Sequence, residues 1–237
     1  MISNPKAYAR FAGANYFVIF ALAIFANFFV MSNLLIAGDP AATAANLAEQ
    51  ESLFRIGVAC FFIVMIADVF IAWALYYVLA PVSAPLSMLS ALFRLTYTIA
   101  QIGVLLNFAK VLQINDPTGA YAAFAGDGWR HFFLAAHDSE FTLTLIFFGL
   151  HLLLLGYLII RATFLSAVIG GLVAIAGIGY ITDGFAAILF DGYGPLGEIG
   201  VFVVILPALL GEGALMVWLL IVGLNREKWF SYANSSH

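Results

Sequence analysis

Apolar residues run along this chain in blocks too long for a soluble core, and the polar stretches between them are brief. A bilayer interior about 30 Å thick takes about 20 apolar residues per helix. On that ruler the pattern predicts six spans, over 11–37, 53–80, 84–113, 128–161, 164–190 and 199–224. The expected fold is all-α, a polytopic membrane protein of six transmembrane helices, with residues 1–237 forming a single membrane domain. The first block is much longer than the ~7–15 apolar residues of a signal peptide, so it reads as a retained helix.

The connections divide into two kinds. Ala80-Pro81-Val82-Ser83-Ala84-Pro85 and Arg161-Ala162-Thr163 are tight, which makes spans two and three, and spans four and five, antiparallel hairpins. Leu75-Tyr76-Tyr77-Val78-Leu79 and Leu155-Gly156-Tyr157-Leu158-Ile159 hold equivalent places in these hairpins, a hint of a parallel repeat. On the opposite side, residues 38–52 and 114–127 carry turn chemistry at Gly38-Asp39-Pro40, Asp116-Pro117-Thr118-Gly119 and Gly126-Asp127-Gly128. They are too short for a separate extracellular domain. Span five repeats small residues at Gly170-Gly171, Ala174, Gly177 and Gly184, which predicts close backbone packing. Pro207 in span six predicts a kink.

Composition agrees with the pattern: 64% of residues are hydrophobic and 9% charged, which excludes a soluble domain. With 9 Lys plus Arg against 23 Phe, no basic surface exists to neutralise phosphates, so nucleic acid is not a partner. Cys60 is the single cysteine, which excludes an intrachain disulfide and a cysteine-based metal site. Lys6, Arg10, Arg161, Arg226 and Lys228 fall on one side of the six spans, whereas Asp39, Glu49, Glu51, Asp116, Asp127, Asp191 and Glu198 fall on the other. Lys and Arg set orientation, so both termini are expected to be cytoplasmic. Arg55, Lys110 and Arg130 depart from the rule, but they stand at outer helix ends where long side chains reach headgroups.

The informative residues are the ionisable ones within the apolar blocks, each of which costs at least about 2.5–3.5 kcal/mol to insert. At 1.5 Å per residue, Asp68 and Glu212 lie about 17–18 Å, and Arg94 and His151 about 15 Å, from the inner ends of their spans. Four groups on four helices therefore share one level. Arg94 is expected to pair with Asp68 or Glu212, leaving one carboxylate neutral, paired to His151 or open to a ligand. Tyr97, Thr98 and Gln101 share a helical stripe with Arg94, so the ligand-binding candidates are Asp68, Arg94, Tyr97, Gln101, His151 and Glu212.

A second group lies at outer helix ends: Arg55, Arg130, His137, Asp138, Glu140 and Asp183 are candidates for an entrance. Arg130, His137, Glu140, Thr144 and His151 run down one face of span four toward the midplane. For a metal, His137, Glu140 and Asp183 are the residues to weigh, although carboxylate-bridged bundles use two Glu-x-x-His pairs and this chain has one reversed copy. Bis-histidine haem is not expected, because apart from His237 every histidine is on span four. Ser83, Ser87 and Ser90 lack a Gly-x-Ser-x-Gly turn and, on this reading, a histidine at their depth, which argues against a serine hydrolase.

Short segments in order resemble a bacterial family of six-helix integral membrane proteins of unknown function. They are Tyr8-Ala9-Arg10-Phe11-Ala12-Gly13, Leu53-Phe54-Arg55-Ile56-Gly57, Leu75-Tyr76 before Pro81-Val82, Phe93-Arg94-Leu95, Phe148-Gly149-Leu150 with Leu155-Gly156-Tyr157-Leu158-Ile159, and Ala176-Gly177-Ile178-Gly179-Tyr180. The resemblance implies the topology and a multi-pass location in the bacterial cytoplasmic membrane, and it draws attention to Arg55 and Arg94. It supplies no reaction or cofactor, and His137-Asp138-Ser139-Glu140 is outside its pattern.

Three readings follow. The first is a midplane polar pocket that binds or passes a small polar or amphiphilic ligand, in transport or sensing. The second is an intramembrane enzyme acting on a lipid-like substrate, and the third a non-catalytic partner subunit. The lipid bilayer is the implied partner, a homo-oligomer stays open, and whether the chain is an enzyme is left undecided.

Overall fold

The computed structural model describes residues 4–115, 118–119, 123, 126–190 and 206–235, and among them the chain forms helices and no strand. In chain order, α1 is Pro5–Leu34, α2 Pro40–Glu49, α3 Glu51–Leu79, α4 Ala84–Asn115, α5 Asp127–Arg161 and α6 Ala167–Leu189. The last two are α7, Leu206–Val222, and α8, Arg226–Ser235. Helices α1, α3, α4, α5 and α6 are each long and apolar enough to cross a membrane, and α7 with α8 forms a sixth candidate bent by 100°. The chain is a multi-pass helical membrane protein.

The starts and stops follow local chemistry. Pro5 opens α1 at a position where its missing N–H costs nothing, which places the start ahead of the expected residue 11. Within α1 the turns from Phe25 to Met31 widen to a π-helix, and the Asn27 carbonyl accepts both the Ser32 backbone N–H and, at 2.7 Å, Ser32 Oγ. Residues 38–52, read as a loop with turn chemistry, contain α2. Asp39 caps it by accepting from the Ala42 N–H at 2.9 Å, Pro40 fills the first turn, and Gly38 supplies the left-handed φ of +75° before it. Span six is described only from Leu206, so the kink expected upstream of Pro207 lies outside the described residues, as do Asp116, Asp191, Glu198 and His237.

Backbone contacts divide the chain into two compact units, residues 1–17, 67–98 and 142–237, and residues 18–66 and 99–141. The second unit is built on Val30, Leu34, Leu47, Phe54, Phe108 and Val111, with Phe54 set edge-on to Phe108. Its tight point is Gly57, where an added methyl would meet the Val30 side chain at 2.8 Å.

In the first unit, the α5–α6 hairpin shows why small residues recur in span five. A methyl added at Gly156 would lie 2.6 Å from the Gly170 carbonyl oxygen, and one at Gly149 2.7 Å from that of Gly177. A further seven residues out, Gly184 faces the Thr142 carbonyl. The contacts step by heptads in opposite directions from the Arg161–Ser166 turn, which is the geometry of antiparallel helices that touch along their backbones. Gly171 faces open space and takes no part. Large apolar side chains such as Val168, Ile99 and Phe28 are about 70% exposed, a pattern that is stable only against lipid.

The foot of the first unit holds α8. Its break from α7 is made by a π-helical turn, Trp218–Val222, and by Gly223 at φ +72°. Trp229 is buried and its indole N–H donates to the Val78 carbonyl at 2.9 Å, while Phe164 packs edge-on to Tyr232. One face of α8 is therefore docked, and Arg226, Glu227 and Lys228 stay exposed.

Candidate functional site

Arg94 lies eleven residues into α4, and the chemistry of the first unit is organised around it. The guanidinium has to find partners within the bundle because it is 1% exposed, as are His151 and Tyr16, while Asp68 is 3% exposed. One terminal nitrogen donates to Asp68 Oδ1 of α3 at 2.5 Å. The other donates to the Tyr16 hydroxyl of α1 at 2.8 Å and stands 3.0 Å from His151 Nε2 of α5. Thr98, one turn along α4, donates to Asp68 Oδ2. The rings of Tyr16 and Phe148 lie 5.0 and 5.3 Å from the guanidinium carbon, so the charge also rests against two aromatic rings. A single arginine thereby joins four helices.

The donor rules assign His151. An arginine only donates, so Nε2 must accept and the ring proton is on Nδ1, which donates to the Ser90 carbonyl at 2.9 Å. Ser90 Oγ, 2.9 Å from that same nitrogen, donates to the His151 carbonyl at 3.3 Å. The expectation that no histidine sits at the depth of the serines is thus corrected, because α5 carries His151 directly onto Ser90. No hydrolase pair results, since the imidazole has no lone pair left to take the serine proton.

The expected pairing of Arg94 with one of two carboxylates resolves in favour of Asp68. His151 meets the arginine rather than an acid. Glu212 of α7 is half-buried and, among the described residues, accepts one hydrogen bond, from the Tyr180 hydroxyl of α6 at 3.3 Å. Its charge is close enough to interact with those of Arg94 and Asp68. Phe148 forms the aromatic centre of this region, with ring centroids 4.7 Å from Tyr97, 5.7 Å from His151 and 5.6 Å from Tyr180. Arg94 Nε is buried and has no partner among the described residues. Gln101, two turns beyond Arg94 on α4, is also buried.

Most of the proposed entrance residues belong to the second unit, where each is occupied locally. Arg55, exposed, pairs with Glu51 at 2.7 Å, and Arg130, mostly buried, pairs with the exposed Asp127, each within one helix. The His137 ring stacks on Phe108 at 3.9 Å and its Nδ1 lies 3.1 Å from the exposed Asp138 carboxylate. Glu140 accepts from Asn107 at 2.8 Å, and Lys110 donates to the Asn107 carbonyl oxygen of its side chain at 3.1 Å. Asp183 is buried on α6 in the first unit. Among the described residues no group of three or more His, Cys, Asp or Glu side chains is placed to hold a metal, so His137, Glu140 and Asp183 are not gathered into one.

Sequence reasoning passed over Tyr16, weighed Ser90 only as a nucleophile, and used Thr98 only to mark a stripe. Tyr16 lies about 16 Å into α1, the depth of Arg94 in α4, but only because α1 starts at Pro5; counted from the expected start at residue 11 it lies about 8 Å in, which hid it.

Comparison with known proteins now gives the lineage. The model of a family described as a domain of unknown function, DUF4386, matches residues 11–223. The chain belongs to the DUF4386 family. A relative described as "Uncharacterized protein" from Archaeoglobus fulgidus is 35% identical over 163 residues, 68% of this chain and 80% of the relative. No solved structure matches the chain. The resemblance to a membrane-protein family of unknown function is thereby confirmed, and the DUF4386 match takes in every member of the Arg94 network, from Tyr16 to Glu212.

Proposed function

We propose that this protein binds a small polar or amphiphilic ligand between Glu212 and the Arg94 network, as a transporter or sensor of the bacterial cytoplasmic membrane with both termini inside. The observation that carries the reading is a complementary pair of incomplete groups. Among the described residues, the Arg94 Nε–H is a buried donor without a partner, and the Glu212 carboxylate has one hydrogen bond where it has capacity for several. A molecule offering one acceptor and one donor completes both, and the rings of Phe148, Tyr97 and Tyr180 supply an apolar wall. Asp68, His151, Tyr16 and Thr98 form the fixed side of the site, and Glu212 with Tyr180 the exchangeable side.

A second reading has its own support. The Asp68–Arg94–His151–Tyr16 network ties α1, α3, α4 and α5 together, as a non-catalytic partner subunit would need for fixed helix register. Thermal unfolding of the purified full chain against a panel of small polar and amphiphilic compounds separates the two. The ligand reading expects stabilising compounds whose effect is lost in Glu212→Gln, with the unliganded variant melting as wild type. Compounds that stabilise wild type and Glu212→Gln equally, or a Glu212→Gln protein that fails to fold, would overturn it in favour of the structural role.

A further inference from the structure

A cavity of about 550 Å³ opens in the first unit where its positive charges gather. Lys6 borders it from the start of α1, Thr163 and Ser166 from the α5–α6 turn, Trp218 from the end of α7, and Asn225 and Lys228 from the junction with α8. The cavity exists because the chain turns by 100° after Gly223, so α8 folds under the bundle instead of continuing α7. The stem of Lys6 passes over that glycine, 3.1 Å from where a methyl group would stand. Arg10 donates to the Ile221 carbonyl at 3.3 Å, which fixes the end of α7 from the same side.

The chemistry of the lining is one-sided. Neither Lys6 nor Lys228 has an ion pair among the described residues. The Trp218 side chain lines the recess with its ring, while its indole nitrogen is buried away from the opening. Thr163 and Ser166 add hydroxyls, and the Asn225 side chain is engaged by the Lys228 N–H at 3.0 Å. Two ammonium groups without an ion pair among the described residues and two hydroxyls call for a compact anion rich in acceptors. Phe164 and Val222 form an apolar side to the same recess. Basic residues at the ends of membrane spans face the surface where anionic headgroups lie.

We propose that this cavity binds a phosphate group, carried by an anionic lipid headgroup or free in solution. Lys6 and Lys228 supply the charge, and the Thr163 and Ser166 hydroxyls supply hydrogen bonds.

The test uses the full chain in neutral detergent with fluorescent phosphatidylglycerol as the probe. Saturable binding is expected, with phosphatidylcholine a poor competitor. Each lysine replaced by glutamine is expected to weaken binding about fivefold, the worth of roughly 1 kcal/mol per basic residue at a membrane surface. Lys6→Gln/Lys228→Gln is the main variant. Lys228→Gln alone, at an exposed position of α8, serves should the double variant not fold. Displacement of the probe by inorganic phosphate identifies a free anion as a ligand of the site, whereas resistance to phosphate identifies the lipid headgroup. Unchanged affinity in Lys228→Gln, or equal competition by phosphatidylcholine, overturns the proposal.

Discussion

Asp68→Asn isolates the charge of the central ion pair from its shape. The amide is isosteric with the carboxylate, its oxygen can accept from Arg94, and its NH₂ can donate to Thr98 Oγ. Thr98 keeps its own bond to the Arg94 carbonyl at 2.9 Å. The hydrogen-bond pattern survives, and what is lost is the counter-charge of a guanidinium that is 1% exposed. Leaving one member of a buried pair uncompensated costs about 3–5 kcal/mol, or roughly 150- to 5,000-fold in the unfolding equilibrium. Titration of the purified protein with SDS in mixed micelles, followed by circular dichroism, measures that equilibrium. Asp68→Asn/Arg94→Gln should recover most of the loss, because a neutral pair leaves no stranded charge. Glu212→Gln should be mild alone but worse than additive with Asp68→Asn, since Glu212 is then the remaining negative charge that interacts with Arg94. A cost below about 1 kcal/mol for Asp68→Asn, the scale of an exposed pair, would refute the claim that this network holds the helices in register.

Three further outcomes follow from the packing and the hydrogen bonds. Gly156→Leu forces a side chain against the Gly170 carbonyl and should cost at least about 1–3 kcal/mol in the same titration, whereas Gly171→Ala, facing open space, should be neutral or slightly stabilising. Trp229→Phe removes the bond to the Val78 carbonyl and should loosen α8, read as faster proteolytic release of the C-terminal segment at a cost of about 0.5–1.5 kcal/mol. Ser90 should not react with a fluorophosphonate probe, because His151 has no free lone pair to activate it; labelling lost in Ser90→Ala would show that the tautomer assignment is wrong.

How much of this was legible beforehand depends on the range of the interaction. The apolar blocks located five spans to within a few residues except at the start of α1, since a helix in lipid satisfies its own backbone and needs about 20 apolar residues whatever surrounds it. Depth counting put Asp68, Arg94 and His151 at one level for the same reason, and the small residues of span five announced close packing with no knowledge of the neighbour. Helix α2 escaped notice because Asp39-Pro40 serves equally as turn chemistry and as a helix cap.

What tertiary structure alone decided is which groups meet. Sequence left Arg94 free to choose between Asp68 and Glu212; the placement of α3 and α7 made Asp68 its partner and left Glu212 to Tyr180. It brought His151 onto Arg94 and Ser90 at once, which set the tautomer and removed the serine from nucleophilic chemistry. It also recruited Tyr16 and turned α8 under the bundle to open a cavity beside Lys6 and Lys228. Depth along a helix is a local property that the chain carries in its hydropathy. The azimuth of each helix and the identity of its neighbours depend on packing between segments far apart in sequence, and no periodicity within one segment encodes them.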